Sequence, residues 1–121
     1  MSWIYGQSTG QLTRNGISVG LPGYSGAPSG QNNPAMQHVE NIGPIPRGLY
    51  RIGAPRASAR HGPHVLSLAP EGHNALGRTA FLINGDKRVG PPGSGSLGCI
   101  IFPLAIRQQI SASGDSHLTV E

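Results

Sequence analysis

The chain is poor in charge and in aromatic rings, has a single cysteine, and lacks any long apolar run. Charged residues make up 12% of its 121 positions and aromatics 5%. Each shortage excludes something. One cysteine cannot form an internal disulfide, so the cysteine count says nothing about the redox compartment. No run approaches the ~18–20 apolar residues that span a bilayer, so no membrane-spanning segment is expected. The opening residues, MSWIYGQSTG, have neither a basic stretch nor a long apolar core, so no Sec signal is read there. The expectation is a protein made in the cytoplasm, which a carrier must export if it acts outside. Basic residues stand singly, and with so few rings there is no stacking platform, so nucleic acid is not an expected partner. His61 and His64 are separated by Gly62-Pro63, which breaks any helix, and no Cys or acidic pattern accompanies them. Neither a metal nor a cofactor is expected.

What is abundant is turn chemistry. Gly (19) and Pro (11) together make about a quarter of the chain, yet the apolar residues fall in short runs between them. That pattern argues for one loop-rich, mainly β domain over residues 1–121 rather than for disorder. Strands are expected at Ser2–Tyr5, Leu49–Ile52, His64–Leu68, Ala80–Ile83, Ile100–Phe102 and His117–Val120. A β-hairpin is expected around Asn15-Gly16, because a two-residue type I′ turn needs φ > 0 at both positions. Residues 21–34, LPGYSGAPSGQNNP, read as a surface loop, and Met36–Asn41 as a short helical turn. Gly43–Gly48 reads as a turn made rigid by two prolines. Glu71–Arg78 reads as a polar loop. Pro103 opens a helix through Ile110, with apolar residues at helical spacing and Ser113-Gly114 as its end. A formal charge of +4 favours anionic partners.

The stretch from Ala80 to Phe102, AFLINGDKRVGPPGSGSLGCIIF, carries the chemistry. Two apolar runs flank a loop rich in Gly, Pro and Ser, and Cys99 sits where that loop meets the second run. A lone cysteine is either a small buried hydrophobe or a nucleophile, and the residues alone leave both open. For the nucleophile, Gly95 and Gly98 would let a substrate approach, and the Gly98 and Cys99 N–H groups would face a developing oxyanion.

Ser96-Leu97-Gly98-Cys99-Ile100, preceded by Asn84-Gly85-Asp86, resembles the active-site signature of L,D-transpeptidases, the cysteine enzymes that remodel peptidoglycan stem peptides. Trp3-Ile4-Tyr5, Gly23-Tyr24-Ser25-Gly26, Gly43-Pro44-Ile45-Pro46-Arg47-Gly48-Leu49-Tyr50 and Gly77-Arg78 are similar to motifs of the small L,D-transpeptidase effectors injected by type VI secretion systems. The resemblance covers nearly the whole chain, in order. It implies a single β-sandwich domain with one short helix after the cysteine strand. It implies Cys99 as nucleophile, with Ser96, Gly98 and position 84 as its catalytic surroundings, and Tyr24, Arg78, Gly85 and Asp86 toward the substrate. Tyr24 lines the cleft or pins its loop; Arg78 grips a substrate carboxylate or is a surface arginine. The implied reaction releases or exchanges D-Ala from tetrapeptide stems through a Cys99 acyl-enzyme. The implied setting is the periplasm of a target cell, with an immunity protein and a secretion-system carrier as partners.

One departure bears on all of this. Asn84 stands where the family has its catalytic histidine, and a carboxamide cannot take up a proton near neutral pH. Losing a general base costs ~10²–10⁴-fold in rate. Either the activity is reduced, or another histidine such as His61 or His64 supplies the base. The rival readings are a catalytically weak peptidoglycan-binding module and a phage lysis protein of the same fold.

Overall fold

The Asn15-Gly16 turn takes the conformation its residues favour, with φ of 55° and 77°, and joins β2 (Leu12–Arg14) to β3 (Ile17–Ser18). The computed structural model describes residues 2–86 and 95–121. The Gly/Pro/Ser-rich loop expected after Asp86 falls largely at 87–94, outside the described residues, as do Lys87 and Arg88.

The remaining strands are β1 (Trp3–Tyr5), β4 (Tyr24–Ser25), β5 (Gly48–Ile52), β6 (Arg56–Ser58), β7 (Gly62–Glu71), β8 (Phe81–Asn84), β9 (Ile100–Ile101) and β10 (His117–Val120). They hydrogen-bond in the order β3-β2-β1-β10-β5-β7-β8-β9-β4, with β6 added to β7. The helix α1 spans Leu104–Ala112, with Pro103 as its N-cap and Ser113 as its C-cap. The mainly β class and the one helix after the cysteine strand are therefore as expected. Among the described residues no helix is long and apolar enough to cross a membrane.

Three details differ from the sequence expectation. Residues 21–34 contain the short strand β4, because Tyr24 and Ser25 pair with Ile101 and Ile100. Arg56–Ser58 is a strand, folded back on a β7 that begins at Gly62 rather than His64. The helical turn expected from Met36 begins two residues earlier, as a 3-10 turn over Pro34–Met36.

The expected sandwich is built from a single hydrogen-bonded sheet. Tyr5 on β1 and Phe102, just after β9, lie five steps apart along it, which would be ~24 Å at the usual strand spacing. Their rings are 6.0 Å apart and edge-on. The sheet therefore folds over, and its two halves share one core that includes Trp3, Tyr50, Leu66, Ile83, Ile110 and Leu118. Burying a large apolar side chain contributes ~1.5–3 kcal/mol, so this cluster is the main source of stability. It leaves the rim of β7, β8 and β9 free to form a cleft.

Candidate active site

The site follows from the register of three strands. Leu82 pairs with Ser67 on β7, and Asn84 pairs with Ile101 on β9. Side chains alternate faces along a strand, so Leu82 and Asn84 share one face. Cys99, two residues before Ile101, falls beside Leu82 on that same face, and the Leu82 N–H reaches its sulfur. A cleft of about 1150 Å³ opens there, lined by Cys99, Asn84, His61, Arg60 and Arg78 among others.

Cys99 is half-buried and free. Its thiol makes a weak contact, 3.9 Å, with the Ala80 carbonyl. Ala80 holds a φ of 64°, a left-handed conformation that costs a non-glycine residue ~1–2 kcal/mol. Burial pushes the Cys99 thiol up from its ordinary value, while the Leu82 N–H and the Arg78 and Arg60 guanidiniums pull it part of the way back. The resting group is a neutral thiol at neutral pH, and attack requires somewhere for its proton to go.

The turn before the cysteine is locked by hydroxyls. Ser96 Oγ donates to the Cys99 carbonyl (2.6 Å) and accepts from the Gly98 N–H (3.0 Å) and the Gly26 N–H (3.0 Å). Ser25 Oγ donates to the Gly98 carbonyl (2.9 Å) and accepts from the Ile45 N–H (2.8 Å). Ser96 thus shapes the turn. The same bonds correct the expected oxyanion hole: the Gly98 N–H is already taken by Ser96. Gly98 has a φ of 142°, and a Cβ there would lie 2.5 Å from Arg78 Nη2, so only glycine fits.

Arg78 is drawn to the cysteine turn, though not as a free fork. Nη1 donates to the Gln37 and Pro44 carbonyls (2.7 and 2.8 Å), and Nη2 to those of Gly43 and Leu97 (3.1 and 3.4 Å). Only 5% of the residue is exposed. The expected bidentate grip on a substrate carboxylate is therefore replaced by a clamp between the Gly43-Pro44 turn and the cysteine loop, with a positive charge near Cys99.

Tyr24 pins its surroundings as well as lining the approach. Its hydroxyl donates to Asp86 Oδ1 (2.6 Å) and accepts from the Gly95 N–H (2.8 Å), joining the described residues on either side of 87–94. Burial and the Asp86 carboxylate push the phenol up, so it stays neutral. Gly85 lines the cleft, and a Cβ on it would lie 2.9 Å from Arg107 Nη1. Buried Arg107 donates to the carbonyls of Phe102 (2.7 Å), His64 (3.1 Å) and Pro63 (3.1 Å). It thereby ties α1 to the start of β7 and the end of β9.

Asn84 is 2% exposed. Its carboxamide nitrogen lies 3.1 Å from His61 Nδ1, and its Oδ1 has no hydrogen-bond partner among the described residues. His61 sits in the β6–β7 turn, where Ser58 Oγ accepts from the His61 and Arg60 N–H groups (3.2 and 3.3 Å). His64 turns elsewhere: its Nε2 lies 2.6 Å from Ser111 Oγ on α1. The structure thus separates the two histidines and brings only His61 to Asn84. Sequence reasoning missed Ser25, Arg107, Arg56 and Arg60 as builders of this region. The Gly-Tyr-Ser-Gly motif held a signal for Ser25; single arginines held none.

A folded-over sheet that presents one cysteine, behind a Ser-x-Gly turn, on the wall of a cleft defines a small β domain with a single-cysteine site. The chain belongs to the Tlde1 domain family, whose model matches residues 19–117. That family consists of secreted type VI effectors directed at peptidoglycan. Among solved structures, Bdellovibrio bacteriovorus Bd1075 shares the fold, with a TM-score of 0.64 at 12% identity over 99% of this chain. The chain spans about half of that protein's length (47%). No curated protein matches the chain in sequence.

Proposed function

We propose that this chain is a cysteine L,D-transpeptidase/L,D-carboxypeptidase that acts on the tetrapeptide stems of peptidoglycan in the periplasm of a target cell. The observation that carries this reading is the position of Cys99, which stands on the cleft wall at the end of a rigid Ser-x-Gly turn. Sγ attacks the carbonyl that joins the third stem residue to D-Ala, D-Ala departs with a proton on its amine, and water or another amine resolves the thioester. Rigid placement of the nucleophile supplies the proximity that such acyl transfer needs. Because Arg78 is committed to carbonyls, Arg56 and Arg60, which are exposed on the cleft rim, take over attraction of the anionic stem. A cognate immunity protein and a secretion-system carrier complete the reading.

The experiment is D-Ala release from purified disaccharide-tetrapeptide by this chain and by its Cys99→Ala variant. Release that Cys99→Ala abolishes supports the assignment; equal release by both refutes Cys99 as nucleophile. The neutral, raised thiol and the carboxamide at position 84 favour a second reading, a catalytically weak stem-binding module. Saturable stem binding without D-Ala release would select it.

A further inference from the structure

The cleft holds a proton acceptor that strand order hides. From the contact between Asn84 and His61 on the face that carries Cys99, we propose that His61 is the general base for Cys99 and Asn84 the residue that orients it. This rests on the acyl-transfer reading above.

Three observations converge on the pair. The Asn84 carboxamide nitrogen and His61 Nδ1 are 3.1 Å apart; the nitrogen donates to Nδ1 as placed, and a 180° turn of the carboxamide puts Oδ1 there to accept Nδ1–H instead. Asn84 is almost wholly buried, and its Oδ1 lacks a partner among the described residues, so turning the carboxamide to face Oδ1 to the ring breaks no bond that the oxygen makes. Arg60 and His61 line the same cleft as Asn84 and Cys99, so this turn faces the nucleophile's cleft. The turn itself is held in place: Ser58 Oγ binds the His61 N–H, and Arg107 binds the carbonyls of Pro63 and His64 just downstream.

In the working arrangement the carboxamide is turned 180° about its Cβ–Cγ bond, its oxygen accepts Nδ1–H, and Nε2 carries the lone pair. Nε2 takes the Cys99 S–H proton, directly or across one water, as Sγ bonds to the stem carbonyl carbon. When the C–N bond breaks, the same proton passes to the leaving amine. Water then attacks the thioester, giving one proton to Nε2, and Sγ leaves and recovers it. Asn84 neither gains nor loses a proton. With its oxygen toward the ring it holds the Nδ1–H tautomer, so an asparagine is suited to this position once the base stands behind it. Among the described residues, the other charged groups facing the cleft are Glu40, Asp86, Arg56, Arg60 and Arg78. Asn84 is the side chain that meets His61 Nδ1.

The test is alkylation of Cys99 by iodoacetamide, followed by mass spectrometry from pH 6 to pH 10, for this chain and for His61→Gln, His61→Ala and Asn84→Ala. It needs no peptidoglycan, so it can fail or succeed independently of the D-Ala assay, and thermal unfolding checks that each variant is folded. Near pH 7 both His61 variants are expected to react at least about tenfold more slowly, within the range a general base supplies. Asn84→Ala is expected to fall between them and the parent. The curves should converge at high pH, where the thiol ionises without help. His61→Gln matching the parent across the range would overturn the proposal, because glutamine keeps a hydrogen bond to Asn84 but cannot accept the proton.

Discussion

Replacing Ser96 by alanine is the sharpest test of how the cysteine turn is held. The hydroxyl is buried, and its removal strands the Gly98 and Gly26 N–H groups and the Cys99 carbonyl. A buried polar group left without a partner costs ~1–3 kcal/mol. Ser96 serves three of them, and water entering from the cleft keeps each near the lower end, so Ser96→Ala should cost ~3 kcal/mol. A domain of this size has ~5–15 kcal/mol in total, so the loss is a large share of its stability. It corresponds to a fall in Tm of roughly 10–15 °C. Urea unfolding of the two proteins at one pH measures the loss, and an unchanged slope would place it in the folded state. A fall in Tm of less than ~3 °C would refute the reasoning, since three orphaned groups cannot be that cheap. The local consequence differs from that of Cys99→Ala, because Ser96→Ala frees the Gly98 N–H while leaving the thiol in place.

Arg78→Lys keeps the charge near Cys99 but cannot reach four carbonyls with a single ammonium, so it should destabilise the fold by at least about 2 kcal/mol. Unchanged Tm with a raised KM for D-Ala release would instead restore Arg78 as a carboxylate reader. A further outcome concerns pH. Burial raises the Cys99 thiol in the folded state, so above the unfolded value of ~8.5 the unfolded chain has lost a proton that the folded chain keeps. Stability therefore falls as pH rises through the window between the unfolded and the folded values. The Tm of the parent should drop more steeply from pH 7.5 to 9.5 than that of Cys99→Ala; parallel curves would show that the thiol is not buried as its neutral form.

Much of the fold was legible because local chemistry and tertiary packing agree. Asn15-Gly16 demanded a hairpin turn and made one, and Pro103 began the helix it was placed to begin. What escaped was set by contacts distant in sequence. Tyr24 and Ser25 are strand residues only because Ile100 and Ile101 lie beside them, and nothing in LPGYSGAPSGQNNP announces that. Arg56–Ser58 is polar and unremarkable in pattern, and becomes a strand because β7 extends back to Gly62 to meet it. Arg78 reads in the sequence as a substrate ligand or a surface arginine, and only the four carbonyls around it reveal a buried clamp.

Position 84 carries the general point. Read along the chain, an asparagine at the end of β8 removes a base, because the reading assumes that the base comes from the strand that bears it. In the fold, the end of β8 faces the β6–β7 turn, and that turn brings an imidazole within 3.1 Å of the same carboxamide. Residue 61 reaches this place only because β6 folds back on β7 with a register shift between Arg56 and Ser58, and because Arg107, a helix residue, anchors the strand start. A one-dimensional motif records which side chain occupies a position but not which neighbour the position presents. The carboxamide that looks like a loss in the motif is, in the cleft, a group that can hold the histidine's Nδ1–H when its oxygen faces the ring. Whether this chain works fast or slowly then depends on the pair, and Asn84→Ala and His61→Gln should fail together rather than additively, as groups acting as a unit do.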